Sequence, residues 1–278
     1  MAKRLVIVAL SVVAAAVVAI GAIVFLPGIL PAQGDRPTAG DGITTEDDDD
    51  FGSVDIYRVV DGALEPAASG LTQDVWDTFV RVVTPDFAAE VMSQYRVGDA
   101  PDSDTLAYVY QDDDPDRWIL ATNLATSQDK PSLIATLVHE YAHILTLDGT
   151  QMDRAAGSCP TIELSEGCAL DDSYLRSFEQ QFWAGYDDSA PTPDNSDSDV
   201  AYDFYLAHEE DFVSDYAATN VVEDIAESFM TFVLEDRPAD ATASVSAAKI
   251  DFFWNYPELE AIRERIRTEF ADDLGINP

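Results

Sequence analysis

The sequence is poor in basic residues. Lysine and arginine together number 15, against 53 aspartates and glutamates, so the formal net charge is −38. Such a chain repels phosphate backbones, and we therefore expect no nucleic-acid partner. Histidine and lysine are equally scarce, with three of each in 278 residues, and there are two cysteines. Any site built on histidine must use most of the histidines in the chain.

Residues 1–30 are predicted to form a transmembrane anchor. Lys3 and Arg4 precede an almost unbroken apolar run over Leu5–Leu26, which is long enough to cross a bilayer as a helix. No clear small-x-small cleavage site follows, so we favour an uncleaved anchor over a cleaved secretory signal. The positive residues stay inside, which places the rest of the chain outside the cell membrane. Cleavage would instead give a secreted protein.

Residues 31–52 are predicted to be an acidic, flexible linker. They are rich in Gly, Pro, Thr and Asp, and they contain the run Asp47–Asp50. This run does not indicate calcium binding, because no spaced ligand pattern surrounds it. Residues 53–278 are long enough to form one domain with its own core. Nothing in the sequence indicates an oligomeric state.

The pattern of the remainder predicts a mixture of helices and strands. Strands are expected where short apolar runs lie between Asp-rich turns, and they cover Leu106–Tyr110 and Trp118–Leu124. Helices are expected where apolar residues recur with helical spacing. They cover Leu71–Tyr95 with a break at Pro85, Pro131–Leu147, Asp172–Gly185, Asn220–Asp236, Ala247–Trp254 and Pro257–Phe270.

Two of the three histidines lie in the pattern His-Glu-x-x-His, as His139, Glu140 and His143. Residues four apart share a helix face, so both imidazoles can reach one ion. The surrounding helix is apolar and should be buried, which is costly for these side chains unless a cation is bound. The pattern therefore predicts a zinc site in which Glu140 faces an activated water. The alternative is a pair of core histidines that only form hydrogen bonds.

A catalytic zinc takes three protein ligands, and Glu223 is the favoured third. Glu223 and Glu227 share a helix face and would repel each other. A shared site removes the conflict if Glu223 binds zinc and Glu227 accepts a hydrogen bond from a ligand histidine. Three alternatives remain. Glu223 could instead form a capping box with Asn220. The third zinc ligand could also be His208 or Asp224 in place of Glu223.

The two cysteines, Cys159 and Cys168, do not form a Cys-x-x-Cys pair. A zinc site made of cysteines is therefore disfavoured. A disulfide that closes a small loop is the favoured interpretation, and it agrees with a location outside the cell.

The two motifs together resemble the gluzincin metallopeptidases, whose third zinc ligand is a glutamate on a later helix. The stretch Ser214–Asn220, followed by Glu223 and Ala226–Phe229, is similar to the small bacterial zincins that include the anthrax lethal factor catalytic domain. The resemblance implies a zinc-dependent hydrolase of peptides or proteins with Glu140 as general base. It also implies that Tyr216, seven residues before Glu223, donates a hydrogen bond to the developing oxyanion.

The resemblance further implies a zincin-like α+β fold, with a small twisted sheet packed on the zinc helix and a mostly helical second half. An edge strand, expected at Trp118–Leu124, would bind the substrate as an added strand. The chain departs from the family in spacing, because 223 − 143 gives 80 residues between the second histidine and Glu223. We attribute the extra length to an insertion at about 148–200. The alternative function is a zincin-like zinc-binding or surface interaction module without catalytic activity.

The anchor leads to a first prediction. The mature protein should keep its amino end and fractionate with membranes, because the apolar run has no clear cleavage site. Amino-terminal sequencing of the membrane fraction checks this. A mature sequence that begins between Ile29 and Gly40 would instead show a cleaved signal.

Overall fold

The computed structural model describes residues 42–276. The predicted anchor and residues 31–41 of the predicted linker lie outside this range. Within it, no helix has both the length and the apolar character needed to cross a bilayer.

The described residues form an α+β fold around one mixed sheet. Its strands are β1 (Thr44–Asp48), β2 (Gly52–Val60), β3 (Ala63–Glu65), β4 (Met92–Gly98), β5 (Ala107–Gln111) and β6 (Trp118–Asn123). The strand order is β1-β2-β4-β6-β5, and β3 pairs with β2. Only β4 and β6 run parallel; the other pairs in this sheet are antiparallel. A second, small sheet is made of β7 (Met152–Asp153), β8 (Glu163–Leu164) and β9 (Gly167–Ala169), in the order β7-β9-β8.

Helices pack on the main sheet and form most of the second half of the chain. They are α1 (Gly70–Val83), α2 (Pro85–Val91), α3 (Lys130–Leu147), α4 (Tyr174–Phe182), α5 (Ser198–Ala207), α6 (Val221–Leu234), α7 (Val245–Phe252), α8 (Pro257–Glu269) and α9 (Ala271–Leu274). Helix α3 is central, because it contacts α1, β5 and α6. Helix α6 in turn packs against α4, α7 and α8.

Several predicted elements are confirmed. Helix α3 has Pro131 in its first turn, where the missing N–H costs nothing. The break at Pro85 separates α1 from α2. The predicted helix over Leu71–Tyr95 is wrong at its end, because Met92–Gly98 form strand β4. Alternate residues of β4, such as Tyr95 and Val97, are buried, so tertiary packing overrides the helical spacing there.

The predicted linker is partly ordered. Thr44–Asp48 form β1 and pair with β2, although their side chains are mostly exposed. The Asp48 carboxylate accepts hydrogen bonds from the backbone N–H groups of Asp50 and Phe51, at 2.9 Å each. Aspartate favours turns through this kind of bond to nearby backbone groups. The acidic run Asp47–Asp50 thus ends β1 and forms the turn of the hairpin between β1 and β2.

The expected edge strand is not at Trp118–Leu124. Strand β6 lies between β4 and β5, so both of its edges are paired, and all six of its residues are buried. The edge strand beside α3 is β5, which pairs on one side only among residues 42–276. Continuous apolar character marks a strand covered on both faces, and this explains why the apolar strand β6 is internal.

Residues 148–200 contain the small sheet, α4 and the start of α5. Cys159 and Cys168 form a disulfide across nine positions of the chain. Cys168 lies in β9, which pairs with β8, so the bond closes the hairpin that these two strands make.

Candidate metal centre

Helix α3 presents His139 and His143 to the interior. The helix begins after Asp129, whose carboxylate accepts a hydrogen bond from the Ser132 backbone N–H at 3.1 Å. Both histidines lie on the face that meets α6, and both are buried, with 4% and 5% of their surface exposed. Their rings meet edge to face with centroids 4.7 Å apart.

Helix α6 presents Glu223 from its first turn. Asn220 caps the helix, and its side chain accepts hydrogen bonds from the backbone N–H groups of Val222 and Glu223 at 2.8 and 2.9 Å. A capping box would turn the Glu223 carboxylate back to Asn220. Instead the carboxylate points at His139 and His143, so the cap fixes the start of the helix and leaves Glu223 free for the site.

Three ligand atoms converge where α3 meets α6. The Nε2 atoms of His139 and His143 are 3.0 Å apart. Glu223 Oε2 lies 3.2 Å from the first and 3.3 Å from the second. Ligand atoms of a tetrahedral zinc, at bonds of 2.0–2.1 Å, are roughly 3.3 Å from each other. The triangle therefore has nearly the size that such an ion requires.

The chemistry of this group also fits a cation. Each of the three atoms can offer a lone pair, and the group is buried away from water. Such a cluster is unfavourable unless protons or a cation lie between the atoms. His139, His143 and Glu223 thus make a buried group that could hold a metal ion.

Glu227 orients His139 from the other side of the ring. Its Oε1 lies 2.8 Å from His139 Nδ1, so the carboxylate accepts the Nδ1–H bond and leaves Nε2 for the site. The second carboxylate oxygen accepts a hydrogen bond from Ser214 Oγ at 2.6 Å. Ser214 was missed by sequence reasoning as a participant in the site. A serine thirteen residues before a glutamate has no recognisable spacing, and only the fold brings the two together.

Glu140 has no partner for one carboxylate oxygen. Its Oε2 is buried and makes no hydrogen bond within residues 42–276. Burial raises the pKa of Glu140 to about 7, against the opposing charges of His139 and His143. A buried carboxyl group with such a pKa can take and return a proton near neutral pH.

Tyr216 lies in a short 3-10 turn, Tyr216–Ala218, directly before α6. Its ring centroid is 5.9 Å from that of His139, and its hydroxyl is buried without a hydrogen-bond partner in the described part of the chain. Burial, together with the charges of Glu223 and Glu140, raises the pKa of Tyr216 well above its usual value. The hydroxyl therefore stays protonated and can act as a donor.

A cavity of about 430 Å³ opens beside the group. His143 and Glu223 are part of its wall. Its other walls are the turn at Asp48–Asp50, strand β5 over Tyr108–Gln111 and the hairpin tip Leu164–Glu166. The lining is acidic, because it includes Asp48, Asp49, Asp50 and Glu166. Burial and the neighbouring charges of Asp48 and Asp49 raise the pKa of Asp50.

The other candidate ligands lie elsewhere. His208 ends α5, with its ring against Tyr186 and Phe204, and its Nδ1 is 3.6 Å from an oxygen of Asp211. It is not a member of the group of possible ligands. Asp224 turns away from Glu223 and pairs with Lys249 at 2.7 Å.

No model of a known protein family, no curated protein and no solved structure matches this chain. The function must therefore be inferred from the geometry and chemistry of the site itself.

Glu223 and Glu227 should differ when each is replaced. Glu223→Ala removes one of the three converging atoms, and most bound zinc should be lost. Glu227→Ala removes only the partner of His139 Nδ1, so zinc affinity should fall about 10–100-fold while the site still fills at high zinc. Elemental analysis measures the bound zinc of each variant, and chelator competition measures its zinc affinity. His208→Ala is the control, and a loss of zinc there with full binding by Glu223→Ala would contradict this ligand set.

Metal binding should release a proton. Burial opposes a charge on His139, but hydrogen bonds to Glu223 and Glu227 and their charges raise its pKa well above the usual value. The metal-free ring is therefore protonated at neutral pH, and a metal that takes Nε2 must displace that proton. Affinity should fall as the pH is lowered.

Calorimetry of zinc binding at pH 7, in buffers of different ionisation enthalpy, counts the released protons. We expect about one proton for each zinc bound at His139. The matched control is Glu227→Gln, which removes one of the two carboxylates that raise the pKa of His139. This variant should release fewer protons for each zinc bound. Heats that do not depend on the buffer would show that His139 is already neutral.

Proposed function

We propose that this protein is a zinc-dependent metallopeptidase of the gluzincin type, anchored in the cell membrane with its catalytic domain outside. The observation that carries the proposal is the convergence of His139, His143 and Glu223 beside two buried polar groups without partners, Glu140 Oε2 and the Tyr216 hydroxyl. A buried polar group without a partner costs about 1–3 kcal/mol. Such groups are useful where a reacting molecule supplies the partner.

His139, His143 and Glu223 would hold the zinc. When bound, the metal supplies Lewis-acid chemistry, which acidifies water and polarises a carbonyl group. Glu140 accepts the proton of the attacking water at its free carboxylate oxygen. It then delivers this proton to the nitrogen of the leaving amine, and its pKa near 7 suits both transfers.

Tyr216 stabilises the negative charge that develops on the carbonyl oxygen. Its protonated hydroxyl donates a hydrogen bond to this oxygen, and the buried setting strengthens that bond. Ser214 and Glu227 keep His139 in one orientation throughout the reaction. No serine or cysteine nucleophile is required.

The substrate we propose is a peptide or an extended protein segment. Strand β5 is the unpaired edge that borders the cavity, so the added strand belongs there rather than on β6. The acidic walls at Asp48–Asp50 and Glu166 disfavour acidic substrate side chains and favour basic ones. The hairpin tip Leu164–Glu166 narrows the cavity and would select among substrates.

The experiment that tests the proposal compares wild type with Glu140→Gln and Tyr216→Phe. Both variants should keep stoichiometric zinc. Glu140→Gln should lose hydrolysis, because an amide cannot accept the proton of water. Tyr216→Phe should lose on the order of 100-fold in kcat through one missing donor to the oxyanion. A peptide mixture of varied charge, analysed by mass spectrometry, provides the substrates.

The matched control is Tyr202→Phe, which changes an exposed tyrosine of α5 that does not border the cavity and should leave kcat near wild type. Hydrolysis that survives in Glu140→Gln would overturn the mechanism. Wild-type protein that holds zinc and cleaves no peptide would support the alternative, a zinc-binding or interaction module without turnover.

A further inference from the structure

Helix α6 carries two polar stripes on an otherwise apolar helix. Glu223 and Glu227 face the metal centre, while Asp224 and Ser228 lie about 100° further round the helix. Both members of the second stripe are completely buried. The proposed reaction does not use them.

Asp224 is the centre of a buried polar cluster. Its Oδ2 lies 2.7 Å from Lys249 Nζ on α7, and it accepts a hydrogen bond from Trp183 Nε1 at 2.7 Å. Its Oδ1 accepts a hydrogen bond from Ser228 Oγ at 3.3 Å. Lys249 has no exposed surface, and its ammonium group also lies over the Phe212 ring, 3.8 Å from the centroid. A cation in this position is fully desolvated.

Stability alone does not explain such a cluster. Removing two charges from water costs several kcal/mol for each ion, and apolar residues of similar volume often serve as well or better. The ion pair and the hydrogen bonds from Trp183 and Ser228 to Asp224 together provide direction, which apolar packing lacks. Helix α6 needs direction, because apolar and polar residues are buried all round it and no exposed side defines its rotation. The buried residues include Val221, Ile225 and Phe229 as well as Glu223, Asp224 and Ser228.

We propose that the Asp224–Lys249 pair, together with Trp183, is a positioning device that fixes the rotation of α6. A helix held at Asp224 must present Glu223, the preceding residue, in one direction only. Trp183 follows α4, within the insertion at about 148–200, so the insertion takes part in building the metal centre. This inference rests on the proposed function, because it assigns a role in holding zinc.

The test replaces the cluster by apolar side chains of similar size, as Trp183→Phe/Asp224→Leu/Lys249→Met. Thermal unfolding in the presence of a chelator measures the stability of the metal-free protein. Chelator competition measures the dissociation constant for zinc. We expect a melting temperature close to wild type and zinc binding that is weaker by about 10-fold or more, as for other groups that orient a metal ligand.

The matched control uses the exposed pair Arg237–Asp251, which also involves α7 and has the same 2.7 Å separation. The variant Arg237→Met/Asp251→Leu should bind zinc like wild type. If the cluster variant also binds like wild type, the cluster has no positioning role and the inference is overturned. Wild-type protein that binds no zinc would instead defeat the proposed function, and the two failures are thus distinct.

A second variant covers the case in which the apolar replacement does not fold. Asp224→Asn/Lys249→Met removes both charges and keeps an acceptor for Trp183 Nε1. Weaker zinc binding by this folded variant supports the inference. Unchanged binding overturns it, and so does a failure of both variants to fold, because that result would assign the cluster to stability alone.

Discussion

The contact between α3 and α6 at His139 is the constraint on which the rest of the structure depends. One imidazole faces Glu223 through Nε2 and Glu227 through Nδ1, so a single ring links both carboxylates of α6. The two helices must therefore keep a fixed separation and rotation. This separation and this rotation are set by the sheet beneath α3, the cap at Asn220 and the cluster around Asp224.

The candidate site was more predictable from sequence than the sheet. The i, i+4 spacing of His139 and His143, and of Glu223 and Glu227, is a local property of a helix, and such spacing appears directly in the chain. The meeting of the two pairs across 80 residues was expected because the histidine pair is costly to bury without a cation, and because Glu223 and Glu227 repel each other unless they share a site. The geometry of the described residues agrees with that expectation, while zinc itself stays a prediction.

The sheet was less predictable because strand pairing is not local. Strands β2 and β4 are recognised only when their partners are known, and the apolar residues at the start of β4 also continue the helical spacing of α2. The edge position of β5 could not be inferred from its own residues, since an edge is defined by what is absent beside it. Ser214 and Lys249 were unpredictable for the same reason, because their roles depend on residues distant in the chain. Each has a partner in α6, and neither shares a helical spacing with that partner.

The disulfide between Cys159 and Cys168 has a consequence for the cavity beside the candidate metal centre. It closes the hairpin whose tip, Leu164–Glu166, forms one wall. A wall held by a covalent bond has few conformations to lose when a ligand settles against it, so less binding free energy is spent on ordering it. Reduction of the bond would free the tip, and a ligand in the cavity would then have to order it on binding. An oxidising environment thus keeps this wall of the cavity in place.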